Sequence, residues 1–165
     1  MVYSVSVVVT LPRVIVERLR REAVRHGLTL EEYMVELLTR NLDPAERARE
    51  YIVAARELLE QARKEVKRGD ARQAAEKVWG ATALAVKAYA SWRDGRRLAS
   101  HGELWEYKRI LEDELGDWVS DAWHAGQTMH VCFYEGWCSV RDVEKALKRV
   151  EKLVAEVEKR ILGVK

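Results

Sequence analysis

Apolar and polar positions alternate one by one in YSVSVVVTLP, residues 3–12, and then change period. The alternation sets Val5, Val7, Val9 and Leu11 on one face and Ser4, Ser6, Val8 and Thr10 on the other, and its β-branched content predicts a strand ended by Pro12. In RVIVERLRREAVRHG the spacing turns helical, with Ile15, Leu19, Ala23 and His26 along one stripe and Gly27 as the stop. Thr29 followed by Glu32 predicts a capping box for a second helix, whose apolar face is Leu30, Tyr33, Met34, Leu37 and Leu38.

From Asp43 onward every periodic stretch is helical. Asp43-Pro44 with Glu46 opens a helix to Gly69 on the stripe Ala48, Ile52, Ala55, Leu59, Ala62 and Val66. A second runs from Asp70 to about Trp92 with Ala74, Val78, Ala81, Leu84, Ala85 and Ala88 inward, small enough for close helix packing. A third begins at Ser100 with Glu103 as its box partner, and a fourth spans Asp117 to Glu135, ending at Gly136. The last starts at Ser139 and carries Val143, Leu147, Val150, Val154, Val157 and Ile161 as the seam of a near-parallel packing. The expected architecture is mainly α: an up-and-down helical bundle over 44–165, preceded by a strand-helix-helix module over 1–43.

Nothing after residue 43 reads as a second strand. A lone strand leaves a row of backbone donors and acceptors unpaired, and the same strand of a second copy completes it most simply. The pattern therefore predicts a homodimer through an antiparallel N-terminal ribbon.

Composition narrows the class without naming a substrate. A formal net charge of +2 does not demand a polyanionic partner, and no apolar run is long enough to span a membrane. With no signal-peptide pattern either, a cytoplasmic protein is expected, and no cofactor is implied. Cys132 and Cys138 form a C-x5-C spacing that suits neither zinc nor a disulfide framework, so reduced structural thiols are expected. A single asparagine, three glutamines and abundant Arg, Glu and Lys match a thermophilic source, in which an oxidised intracellular pair is less exotic.

Residues 3–42 resemble a ribbon-helix-helix module on the Leu11-Pro12 strand end, the Gly27 turn and the Thr29-Leu30-Glu31-Glu32-Tyr33 opening. That resemblance implies a dimer, and in many relatives DNA binding by the ribbon with phosphate at the start of the second helix. Here Ser4, Ser6, Thr10 and Thr29 would be the DNA contacts. The outward face has no Arg or Lys, and residues 1–43 are formally neutral, which favours a dimerisation clasp over DNA readout.

The stretches AAEKVWGATALAVKAYA, SHGELWEYK, HVCFYEGW and DVEKALKRVEKLV resemble the archaeal paralogous-repeat (PaREP) family assigned to HEPN-like helical bundles. The resemblance implies a nucleic-acid- or nucleotide-associated protein, regulatory or antitoxin-like, as in toxin-antitoxin pairs. Active HEPN ribonucleases place an arginine four to six residues before a histidine. His130 matches that histidine, but Trp123, His124 and Ala125 stand where the arginine belongs. The motif for a metal-independent ribonuclease is incomplete, which leans away from an enzyme. The alternatives are an interaction scaffold, or a ribonuclease toxin using His130 with an arginine from elsewhere.

His130, Gln127 and Tyr134 share a helix face with Trp123, and His101 at a helix start and Lys87 as an anion anchor would complete a polar pocket. Trp105 is placed at its mouth. The same residues would equally form a buried network that orients helices. His124 and His130, six residues apart, diverge by about 120° on a helix and do not share a metal.

Overall fold

The computed structural model describes residues 7–163, which form seven helices. These are α1 (Arg13–Arg25), α2 (Leu30–Thr39), α3 (Pro44–Arg68), α4 (Ala71–Asp94), α5 (His101–Leu115), α6 (Trp118–Glu135) and α7 (Val140–Leu162). Their ends follow local chemistry. Asp43 accepts from the amides of Ala45 and Glu46, and Ser100 with Glu103 and Ser139 with Asp142 make reciprocal capping boxes. Gly69 and Gly136 close α3 and α6 in the left-handed region, where a Cβ is disfavoured.

The core is built around α4, buried along almost its whole length and packed against α2, α3, α5, α6 and α7. The alanine stripe expected there is buried, as are Ile52, Ala55 and Leu59 of α3 and Val143, Val150 and Val154 of α7. Gly126 of α6 seats on Thr82 of α4 so closely that an added Cβ would meet Thr82 Oγ1 at 2.3 Å. That contact draws α6, with His130, against the face of α4 that carries Trp79.

Three expectations are corrected. Among the described residues no strand forms: residues 7–12 run irregularly into α1, and the fold is all helical rather than strand-helix-helix followed by a bundle. Alternation selects an extended chain, but a strand exists only with a ladder partner, and Val7 and Val8 stand 80% and 93% exposed with none. Ser4 and Ser6 lie outside the described residues. The backbone reason for a homodimer through the strand goes with the strand.

Second, the N-terminal helices do not bury the faces that their patterns suggested. In α1 only Ala23 is buried, and Ile15 is exposed; α1 packs on α2 alone among the helices. In α2 the buried residues are Glu32, Glu36 and Thr39, whereas Leu38 faces solvent. Thr29 accepts from the Glu32 amide, but the Glu32 side chain leaves the cap and turns inward. Third, Cys132 and Cys138 are joined as a disulfide between the end of α6 and the start of α7, with Cα atoms 5.4 Å apart, within the bridging range. A spacing of five intervening residues looked unspecific, but the Gly136 turn folds the two thiols onto each other. No helix among the described residues is long and apolar enough to cross a membrane.

Candidate ligand-binding site

The inward turn of α2 has its cause in α4. Lys87 lies in the alanine-rich face and is 3% exposed, so its ammonium must be met by carboxylates or lose its charge. Its Nζ sits 3.3 Å from Glu32 Oε2 and 3.2 Å from Glu36 Oε1. Glu36 is further satisfied by the Tyr51 hydroxyl, which donates at 2.8 Å, and by Arg97, whose Nε and Nη2 donate at 3.0 and 2.7 Å. Burial is the largest influence on Glu36, but Lys87, Arg97 and Tyr51 together hold it below the usual carboxylate range. Glu32 goes the other way: complete burial pushes its carboxyl up, and Lys87 only partly opposes this.

Beside this ion cluster the rings of α4, α5 and α6 converge. Trp79 lies 4.9 Å from His130 and 5.2 Å from His101, centroid to centroid, and the two imidazoles are 5.5 Å apart. His101 Nε2 lies within hydrogen-bond distance of Gln127 Oε1, at 3.1 Å. Burial, with His101 adding to it, lowers His130 to a pKa of about 4. At neutral pH its imidazole is therefore uncharged, protonated in only about one molecule in a thousand.

These groups line one cavity of about 140 Å³ between the α1–α2 turn, the start of α5 and the inner faces of α4 and α6. Glu32, Lys87, Trp79, His101 and His130 form its walls, and His26 and Leu28 its rim. Glu32 Oε1, Trp79 Nε1 and His130 Nδ1, all on residues of this wall, are buried and have no hydrogen-bond partner among the described residues. Buried polar atoms are nearly always paired, and each one left over costs about 1–3 kcal/mol. With Trp123 Nε1 as a fourth, these atoms are closed off from water and lie behind the cavity surface rather than on it.

Of the residues expected in a pocket, His130, His101 and Lys87 meet in this cavity, with Gln127 orienting His101 from behind. Tyr134 makes an edge contact to His130 at 5.1 Å but stands in a separate cleft with Arg20, Arg72 and Glu76. There burial and the neighbouring Glu31 carboxylate raise Glu76 to a pKa of about 7. Trp105 stacks edgewise on Trp123 and His124, one layer behind the cavity. His124 diverges from His130, its Nδ1 bonded to the Ser120 carbonyl at 2.7 Å. Thr29 serves as the buried cap of α2, and Thr10 is exposed on the irregular stretch before α1. No arginine lines the His130 cavity. Among the described residues no His, Cys, Asp and Glu side chains group as a metal cluster.

A family model described as the archaeal PaREP1/PaREP8 family matches residues 50–154. The chain belongs to that family. Comparison with curated proteins and with solved structures finds no match. The PaREP segment contributes Trp79, Lys87, Arg97, His101 and His130, whereas His26, Glu32, Glu36 and Arg40 precede it. Sequence reasoning reached the imidazoles and Lys87 but missed Glu32, Glu36, Trp79 and Arg97. The available signal was Lys87 itself, a lysine on the inward face of an alanine helix, which needs an acid from elsewhere in the chain.

Proposed function

We propose that this PaREP protein binds a nucleobase, with a single-ring pyrimidine as the base that fits, and acts as a nucleotide- or nucleic-acid-associated regulatory protein. The observation that carries the reading is one ring-sized cavity walled by Trp79, His101 and His130 beside the Glu32–Lys87 ion pair. A cavity near 150 Å³ accommodates one benzene ring, so about 140 Å³ suits a pyrimidine. Trp79, His101 and His130 offer faces for stacking. The Glu32 carboxylate, on the same wall, is the acceptor for an N–H such as that of the cytosine amino group.

The ribonuclease alternative is weaker on two grounds. A histidine with a pKa of about 4 is a poor base and is not in its acid form at pH 7, and the cavity supplies no arginine for a phosphorane-like charge. Kinship with the HEPN-like bundles and an antitoxin-like role belong to this proposal, as does the division into residues 1–43 and 44–165. The N-terminal strand does not.

The test is calorimetric titration with cytidine, uridine, adenosine and guanosine. Pyrimidine nucleosides should bind more tightly than purine nucleosides. Glu32→Gln should weaken cytidine at least about tenfold, the order expected when a charged acceptor is replaced by a neutral one. Absence of binding by all four nucleosides at millimolar concentration refutes the proposal.

A further inference from the structure

The base cavity does not end at Lys87. A second cleft of about 90 Å³ shares His26, Leu28, Lys87 and Ala99 with it and continues past Tyr33 to Arg40 and Arg97. We infer that the two form one bipartite site for a phosphorylated pyrimidine nucleoside, with the base on Glu32 and the rings and the phosphate on Arg40 and Arg97. The inference rests on the base-binding reading above and adds a group that the first cavity cannot hold.

Charge separates the two halves. In the first, Lys87 is shared between Glu32 and Glu36, so the cavity offers an anion little attraction. In the second, Glu36 is the lining carboxylate, against Lys87, Arg97 and Arg40, so the wall carries an excess of positive charge. Arg97 spends Nε and Nη2 on Glu36, and Nη1 has no carboxylate partner. Arg40 is exposed at the end of α2 and makes no ion pair among the described residues. Arginine with a spare donor edge is well matched to phosphate oxygens, and Tyr33 and His26 add polar groups along the way. Lys87, His26, Leu28 and Ala99 form the common wall that the sugar of the ligand would cross.

The phosphate has two sources with the same chemistry, a free nucleoside monophosphate or the backbone of a single strand. Titration of the whole chain with cytidine, cytidine 5′-monophosphate and a pentanucleotide of cytidines separates them. The monophosphate should bind about tenfold more tightly than cytidine, the scale of one charge-assisted arginine contact. In Arg40→Ala that ratio should fall toward one, and in Arg40→Lys it should partly return; Arg40 is exposed, and a melting curve confirms the fold. Tighter binding of the pentanucleotide than of the monophosphate assigns the strand, and weaker binding the free nucleotide, both supporting the bipartite site. Equal affinity for cytidine and its monophosphate, or a ratio untouched in Arg40→Ala, overturns the phosphate half and leaves the base cavity standing. No binding of cytidine or the monophosphate overturns both readings.

Discussion

Gly126→Ala is the sharpest test of how the site is held together. A Cβ at that position would lie 2.3 Å from Thr82 Oγ1, 2.6 Å from Cγ2 and 2.8 Å from Cβ, all inside the closest approach that real side chains make. Thr82 cannot rotate away easily, because it is fully buried, β-branched in a helix, and donates from Oγ1 to the Val78 carbonyl at 2.8 Å. Helix α6 must therefore move off α4. Overpacking of this severity costs toward the upper end of about 1–3 kcal/mol, and the better helix propensity of alanine returns about 1 kcal/mol. The net expectation is a loss of roughly 2 kcal/mol, or about 4–8 °C in melting temperature for a chain of this size. Urea unfolding of a double-mutant cycle with Thr82→Gly isolates the contact. In the Thr82→Gly background the three clashing atoms are gone, so Gly126→Ala should become neutral or stabilising. An equal loss in both backgrounds, or a Gly126→Ala protein as stable as the parent, would refute the close seating of α6 on α4.

Two further outcomes follow from the buried groups. His130 has its pKa lowered in the fold from 6.5 to about 4, so its contribution to stability is fully present above pH 6.5 and is lost as the pH falls toward 4. The full shift would correspond to about 3 kcal/mol, and partial solvent access reduces this to roughly half. The His130 imidazole resonances followed by NMR, assigned by their loss in His130→Asn, should still report a neutral ring at pH 5.5; a His130 midpoint near 6.5 would contradict the burial. Lys87→Met removes the cation shared by Glu32 and Glu36 and should cost about 3 kcal/mol, since it leaves the buried Glu32 without a cation while Glu36 keeps Arg97. A calorimetric melting temperature within a degree of the parent would remove the ion cluster as the reason α2 faces inward.

How much could be read ahead of the structure depended on whether the cause was local. Asp43, Ser100 and Ser139 announce helix starts, and Gly69 and Gly136 announce ends, because a cap is settled within one turn of chain. The stripes of α3, α4 and α7 are legible for the same reason: their burial repeats with the helix period and every position agrees. Residues 3–11 carry a period of two broken at Val8, but pairing is not a property of the segment that carries it. Helix α2 failed differently. Its apolar face is real in the pattern, and yet Leu38 is 79% exposed while Glu32 is 1% exposed, because a lysine 55 residues later outweighs it. The imidazoles of the site were visible as residue types, but the cavity was not, since three of its walls come from separate helices.

The dependence of Lys87 on Glu32 also ties binding to the way the chain is assembled. Residues 50–154 match the PaREP family, and the buried apolar cluster comes from α3 to α7 and the α4–α5 connection, with Val35 of α2 packed against it. The bundle does not, however, neutralise Lys87; both carboxylates in contact with it come from α2. Without α2 that ammonium would be exposed to water, and the cavity would lose its acid wall, its α1–α2 rim and the Arg40 side of the second cleft together. Helix α1 packs only on α2, and α2 meets α3 through Glu36 on Tyr51 and α4 through Lys87 and the Lys77 ion pair to Glu31. A guest that hydrogen-bonds Glu32 therefore stabilises the attachment of α2, and one that cannot leaves an unpartnered carboxylate oxygen at the seam. On the proposed reading, ligand affinity and the docking of the N-terminal helices both draw on Glu32.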